Sequence, residues 1–186
     1  MKLRDRVILC LLIAGTALFA AVRFYAIPQR DAAQNLYLAA QQEPVTHDFG
    51  AVLKYKSAYV GNASNDAGLF NHLPLSDAGA SFQIDSTNLA LEVDYKTAVK
   101  NLGEARVKRT LLYNSAAAFT LVGNLQALVF RFPDVSFRVR RADAEVLYPD
   151  FKNISDPGTW KNLVQSKMGG AQYVSDSFTK TFRTER

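Results

Sequence analysis

An uncharged apolar run near the N-terminus limits what this chain can be more than any other part of its sequence. The run Val7–Val22 reads VILCLLIAGTALFAAV. Extended to Tyr25, it approaches the roughly 20 residues that an α-helix needs to cross a bilayer. Arg23 lies near its outer end, where a long side chain can reach the headgroup layer, and Phe24 is an aromatic residue of the kind found at that interface. The run predicts one transmembrane anchor over residues 7–25.

Basic residues dominate the short segment before the anchor. Lys2, Arg4 and Arg6 stand there against one acid, Asp5. Positive charge next to a membrane helix stays on the cytoplasmic side. The sequence therefore predicts a cytoplasmic tip at residues 1–6 and a single-pass cell-membrane protein whose C-terminal domain is extracellular.

A cleaved signal peptide is the first alternative for the apolar run. Cleavage requires small residues at key positions before the cut. Most cuts between residues 20 and 26 place Leu18, Phe19 or Phe24 at one of these positions. We therefore expect the run to remain attached as a signal anchor.

A lipoprotein signal is the second alternative, with Cys10 as the lipidated residue. Such a cysteine follows a small residue and a longer apolar stretch, but Cys10 follows Leu9 and comes early in the run. Cys10 is the only cysteine of the sequence, which excludes an intramolecular disulfide and any metal site built from several thiolates. We interpret Cys10 as a small apolar residue of a membrane helix.

The residues after the anchor divide into a stalk, a folded domain and a tail. Pro28 is expected to end the anchor helix or to follow it closely. The segment Asp31–Gln42 is rich in alanine and glutamine and is predicted to be helical, and Glu43-Pro44 breaks it. The predicted parts are a juxtamembrane stalk over residues 26–45, a domain over residues 46–170, and an amphipathic, frayed tail over residues 171–186.

Changes in hydrophobic period predict the fold of the domain. Apolar residues alternate with polar ones in Ser81–Ser86, Leu89–Tyr95 and Val135–Arg140, and Ala127–Phe132 is a further predicted strand, which together are typical of two β-hairpins. Between them, Glu104–Leu125 has a helical period. Hairpins imply antiparallel pairing. The sequence predicts an α+β fold of two layers, an antiparallel sheet of two hairpins with helices on one face.

The stretch Leu53–Pro74, followed by the strand LALEVDYK, resembles a domain of unknown function, the family numbered 4825, of membrane-anchored or secreted Gram-positive bacterial proteins. Some relatives join it to sensor-type membrane metallopeptidases or anti-sigma-like proteins. The resemblance implies an anchor, an exported domain and no assigned catalytic residue. Ala58 stands where the family pattern has proline. The matching residues are Tyr55, Lys56, Tyr59, Val60, Gly61, Asn62, Asn65, Leu73, Pro74, Leu91, Val93 and Tyr95.

Two interpretations of the first matching stretch stay open. As a structural corner, it would use Gly61 at a positive φ and would pack Tyr55 against Tyr59, four residues on. As a binding site, it would use its polar side chains to rim a groove for a small ligand or peptide. The ligand-binding candidates are Tyr55, Tyr59, Asn62 and Asn65.

The sequence contains no nucleophile elbow, phosphate-binding glycine loop or dinucleotide fingerprint. His47 and His72 are far apart, and we expect both to be exposed near helix ends. Glu92 and Asp94 are two residues apart on the polar face of a strand, where two carboxylates could hold a cation, but a solvent-facing role is favoured. We predict no catalytic residue, no metal site and no cofactor.

A basic set on the second predicted hairpin is the other candidate site. The sequence carries a net charge of +5, and guanidinium groups on a flat surface suit phosphates or carboxylates. Clustered aromatics for stacking bases are missing there, which argues against nucleic acid. The alternative is that these arginines discourage aggregation of exposed strands. The anionic-partner candidates are Arg131, Arg138, Arg140 and Arg141.

These features favour a non-enzymatic extracytoplasmic interaction or sensing module of the bacterial cell envelope. Membrane lipid would hold the anchor, and another membrane protein or an anionic envelope polymer would be the partner. Two alternatives remain. One is a cell-envelope hydrolase with a pocket that joins Glu92, Asp94 or His72, and the other is a structural subunit of an envelope complex, which an exposed apolar patch would favour.

Overall fold

The computed structural model describes residues 2–149, 151 and 153–185. Met1 of the predicted tip and Arg186 of the predicted tail lie outside the described residues. The chain separates into two compact units, one up to Ala40 and the other from Gln41 onward. Each unit is considered by itself.

The first unit is helical. Helix α1 (Leu3–Ala21), a π-helical turn (Val22–Ala26) and helix α2 (Ile27–Gln41) follow one another without a break. The combined helix of 39 residues is long and apolar enough to cross a membrane, and no residue of its most apolar 18-residue stretch is buried.

The helix continues through Pro28, where the sequence predicted its end. The Ile27 amide donates to the carbonyl of Val22, five residues back, which is the wide π-type hydrogen bond. Proline lacks an amide hydrogen and its ring collides with the carbonyl four residues back in a regular α-helix. The widened turn shifts that carbonyl and lets the helix pass the proline.

The second unit is built on a five-stranded open sheet whose spatial order follows the chain. Strands β1 and β2 pair antiparallel, β2 and β3 parallel, and β3, β4 and β5 antiparallel. The sheet is thus mostly antiparallel. The strands are β1 (Ala80–Asp85), β2 (Ala90–Tyr95), β3 (Ala127–Arg131), β4 (Ser136–Arg140) and β5 (Phe182–Glu185).

Helices and short 3₁₀ turns complete the unit, so the fold is α+β as predicted. Asp156 accepts a hydrogen bond from the Thr159 amide at 2.8 Å and Pro157 begins the helix Pro157–Leu163. The helices are α3 (Ala63–His72), α4 (Val99–Leu102), α5 (Glu104–Leu121), α6 (Arg141–Ala144), α7 (Pro157–Leu163) and α8 (Ala171–Thr181), and the 3₁₀ turns are Phe49–Tyr55, Ser76–Ala78 and Gln165–Gly169.

Two features of the sheet differ from the prediction. The β2–β3 pair is parallel because the chain crosses from β2 to β3 through α4 and α5, and such a crossover returns it in the same direction. The predicted frayed tail instead forms α8 and the edge strand β5. The Phe178 and Phe182 rings stack at 4.3 Å and attach this strand to the core.

Helix α5 is the centre of the domain. Every residue from Thr110 to Leu121 is buried, although the sequence predicted only one apolar stripe. A helix buried all round lies within a core and not on its surface. Its flanks meet α6, α8 and the 3₁₀ turn Gln165–Gly169.

The two faces of the sheet differ in chemistry. The apolar side carries Phe82, Leu91, Val93, Leu128, Phe130, Val139 and Phe182, which belong to the core. The alternate residues lie on the opposite side, here called the open face. Its charged or polar members are Ser81, Gln83, Asp85, Glu92, Asp94, Arg131, Ser136, Arg138, Arg140, Arg183 and Glu185.

The packing of α3 can be tested by adding a methyl group at Gly68 and measuring the change in the free energy of unfolding. A Cβ at this position would lie 2.6 Å from the Tyr55 ring. We expect Gly68→Ala to lower the free energy of unfolding by about 1–3 kcal/mol, since overpacking outweighs the helix preference of alanine. Denaturant titration of the full chain in detergent, followed by Trp160 fluorescence, measures it. Gly169→Ala is the control because its Cβ meets nothing within 4 Å. Equal midpoints for the two variants would contradict the packing.

Candidate interaction site

The predicted ligand-binding residues form the corner that leads into α3. Asn62 caps this helix: its side-chain oxygen accepts from the Asn65 amide at 3.2 Å. The Asn65 side chain donates to the Tyr55 carbonyl at 2.8 Å. Gly61 has a φ of +126°, as expected for a corner. Both asparagines are therefore engaged in holding the backbone.

The two tyrosines of this set have different surroundings. The Tyr55 hydroxyl lies 3.1 Å from Nδ1 of His72, and its ring covers Gly68. Tyr59 is 71% exposed. The structure thus brings Tyr55, Asn62 and Asn65 together and leaves Tyr59 in solvent. These contacts favour the structural corner, while a ligand role for the set stays a prediction.

Asp66 is a buried carboxylate in the same corner that sequence reasoning missed. It is 1% exposed, and its Oδ2 accepts from the Gly61 amide at 3.0 Å. Oδ1 has no hydrogen-bond partner among the described residues. Burial raises the pKa of Asp66, against the opposing effect of the Gly61 hydrogen bond. Its place beside a positive-φ glycine indicates that it stabilises the turn.

Arg131 and Arg140 lie on the open face and are paired with acids. Arg131 contacts Glu92 at 2.8 Å and Asp94 at 3.6 Å. Arg140 donates two hydrogen bonds to Asp143, at 2.8 and 3.0 Å. These bonds lower the pKa of Asp143. Both guanidinium groups are thus already bound by carboxylates of the same domain.

Arg138 is held less tightly and faces a second arginine. It lies directly opposite Arg183 in the β4–β5 register, and its nearest carboxylate, Glu185, is 3.5 Å away. Arg183 is exposed. In the described part of the chain its side chain donates hydrogen bonds to two backbone carbonyls, that of Phe182 at 3.1 Å and that of Lys180 at 3.4 Å. Like charges directly opposite one another weaken a strand pair. Arg183 joins the predicted set because β5, which the sequence did not predict, brings it there.

Arg141 does not belong to the open face, which corrects its place in the predicted basic set. Its guanidinium donates to the carbonyls of Phe119, Val122 and Leu125, at 2.9, 2.8 and 2.7 Å. It also lies over the rings of Phe119 and Phe151. Burial lowers the pKa of Arg141. The residue caps the C-terminal end of α5, where carbonyls lack helical partners.

His47 is buried, so the expectation that it is exposed was wrong, while His72 is exposed as expected. Nε2 of His47 lies 2.9 Å from the His72 carbonyl, and Nδ1 lies 2.9 Å from the Tyr113 hydroxyl. A carbonyl only accepts, so Nε2 carries the proton and Nδ1 accepts from Tyr113. Trp160 Nε1 donates to the same hydroxyl at 3.0 Å. Burial lowers the pKa of His47.

His47 lies in the residues Gln41–Asp48, here called the base segment, which connect α2 to the domain. The Gln165 side chain donates to the carbonyls of Pro44 and His47, at 3.0 and 2.7 Å. The Gln42 side chain donates to the Ser76 hydroxyl at 2.9 Å. Partners this distant along the chain leave no local sequence pattern, which is why residues 41–45 were predicted as part of the stalk.

The acidic pair and His72 do not converge. Glu92 and Asp94 lie on the open face with Arg131, whereas α3, which ends at His72, packs its Phe70 ring against Phe130 on the apolar side. Among residues 2–149, 151 and 153–185, no group of three histidine, cysteine, aspartate or glutamate side chains is arranged to hold a metal ion.

The fold and these contacts define a class of protein: an N-terminal apolar helix followed by an α+β domain with a mostly antiparallel, open five-stranded sheet. Residues 52–141, just under half of the chain, match the model of the family described as domain of unknown function DUF4825. This match confirms the resemblance predicted from the sequence. No curated protein and no solved structure matches the chain at a significant level.

The capping of α5 by Arg141 predicts different effects on the free energy of unfolding when Arg141 or its neighbour Arg140 is replaced. Arg141→Gln removes the donor to three carbonyls, and we expect it to lower the free energy of unfolding by about 1–3 kcal/mol, since partly buried acceptors lose their partner. Arg140→Gln removes the same charge from an exposed ion pair, so its midpoint should match wild type. Denaturant titration of both variants is the measurement. A midpoint for Arg141→Gln equal to that of Arg140→Gln would refute the capping role.

Proposed function

We propose that the chain is a membrane-anchored, non-enzymatic interaction or sensing module with its N-terminus in the cytoplasm and its α+β domain outside the cell. The apolar helix from Leu3 to Gln41 carries this proposal, because its long apolar side chains are unburied and exposed apolar surface of this extent is stable in lipid. Lys2, Arg4 and Arg6 support the cytoplasmic assignment of the tip.

The open face is the proposed contact surface for an anionic partner. Strands hold its side chains at fixed spacing, and Arg138 and Arg183 are its most loosely held cations. A phosphate or carboxylate that bridges these two would replace the 3.5 Å contact to Glu185 and offset the repulsion between the guanidinium groups. Arg131 and Arg140, bound to their own acids, would frame this site.

A partner bearing such groups can be another membrane protein or an anionic envelope polymer. Both offer carboxylates or phosphates, and both share the compartment assigned to the domain. The hydrolase alternative lacks support from the contacts, since its three candidate side chains, Glu92, Asp94 and His72, lie on different sides of the sheet.

The membrane orientation can be tested with protease on intact protoplasts. We expect added protease to digest the domain and to spare a tag placed before Lys2, because the tip would be inside. Mature protein from the same cells should retain its N-terminus. A protected domain, or a mature chain that begins after Ala20, would overturn the proposed placement.

The contact surface can be tested with paired charge removals. We expect the full chain carrying Arg138→Gln and Arg183→Gln to lose at least about fivefold in the yield of partner crosslinked in intact cells, since two exposed ion pairs would be lost. The matched control carries Lys54→Gln and Lys161→Gln, which removes the same charge from exposed positions elsewhere. Equal yields in the two double variants would exclude the arginine pair as the contact.

A further inference from the structure

The base segment meets the rest of the domain chiefly through one ionisable side chain. His47 is 3% exposed, and its two ring nitrogens bond the last carbonyl of α3 and the Tyr113 hydroxyl of α5. Other contacts of the base segment include neutral hydrogen bonds, from Gln165 and Gln42, the buried Pro44 and long ion pairs. Glu43 lies 3.6 Å from Arg106 and 3.9 Å from Arg109, with side chains about a third exposed. Pairs of this kind contribute little.

The hydrogen bonds around His47 accommodate only the neutral ring. A second proton would go to Nδ1, which now accepts from Tyr113. The Tyr113 oxygen would then accept from both His47 and Trp160, and its own hydrogen would lose its acceptor. Protonation would therefore place a charge in a buried site and leave a buried hydroxyl unsatisfied, and each of these costs free energy.

The groups that face His47 do not offset this cost. On its own segment, Asp48 favours the charged ring, while the His72 imidazole, from the end of α3, opposes it. Helix α5 presents the Tyr113 hydroxyl, whose pKa is raised by burial. Helix α7 presents the Trp160 indole and the turn Gln165–Gly169 presents an amide, and neither of these titrates.

We propose that the base segment is an acid-sensitive latch: one proton taken up by His47 releases Gln41–Asp48 from α3, α5 and the turn Gln165–Gly169, while the sheet and α5 stay folded. The use of such a latch in sensing rests on the proposed function, but the release itself does not. It makes the join between anchor and domain the part that responds to acid.

The sign of the pH dependence follows from the direction of the shift. The pKa of the latched His47 is depressed below the value of 6.5 that it has when released, so the released form binds more protons. The latch is fully stable above pH 6.5 and weakens as the pH falls toward the lower, latched pKa. Across that interval the release constant should rise about tenfold per pH unit.

Hydrogen exchange of the full chain in detergent micelles tests the latch. Protection factors, corrected for intrinsic exchange, are compared for the base segment and for α5 at about pH 7.5 and about pH 5, the range in which histidine titrates. We expect the base segment to lose at least about tenfold in protection while α5 keeps its own. Trp160 is the only tryptophan, so its emission should change over the same interval.

The two histidines of the chain supply matched variants. In His47→Gln the base segment should exchange equally at both pH values, and His72→Gln should respond like wild type, because the carbonyl that His47 uses is retained. Three results would each overturn the latch. The base segment of the wild type could keep its protection at the lower pH, or the base segment and α5 could lose protection together. The third is a His47→Gln variant whose base segment responds to pH as the wild type does. If His47→Gln does not fold, the wild-type protection factors of the base segment and of α5 at the two pH values decide whether the latch exists. No partner or membrane is involved, so failure of the proposed function would leave this result standing.

Discussion

The burial of α5 on all sides is the constraint on which the domain depends. The buried residues of this helix, Thr110–Leu121, cannot send their polar groups to water, so most of these groups bond inside the protein, while Thr110 Oγ1 and Asn114 Oδ1 have no hydrogen-bond partner among the described residues. The Asn114 amide donates to the Pro74 carbonyl, the Tyr113 hydroxyl bonds His47 and Trp160, and Arg141 caps the C-terminal carbonyls. The chain at Pro74, the base segment, α7 and the start of α6 are thus fixed by what one helix requires.

The hydrophobic period along the sequence predicted those strands and helices that are long enough to show such a period. Alternation located β1, β2 and β4, a short apolar run located β3, and the helical period located α5. The edge strand β5 has four residues, too few for a period, and its pairing with β4 depends on a distant segment. The same limit hid Arg183 and the burial of His47, whose partners are set by tertiary contacts. Arg141 was grouped with the basic set because it directly follows the strand, while its hydrogen bonds to the carbonyls at the end of α5 are set by tertiary contacts.

The family match covers only part of this arrangement. Residues 52–141 include the corner, β1 to β4 and α5, which together form the frame of the domain. His47, Trp160, Gln165 and Arg183 lie outside the match. Tyr113 lies within it, so the hydrogen bonds at the base segment join the matched residues to residues on either side of them. The features proposed for partner contact and acid response therefore depend on residues before and after the matched region as much as on residues 52–141 themselves.

The attachment of the base segment also has a mechanical consequence. A pulling force that reaches Gln41 would act on contacts to α3, α5 and the turn Gln165–Gly169 together. These contacts are spread over several elements, and none belongs to an edge strand, so tension would load them in parallel and would not unzip the sheet one bond at a time. The first rupture would free a few residues of chain and lengthen the tether before the sheet itself bore any load.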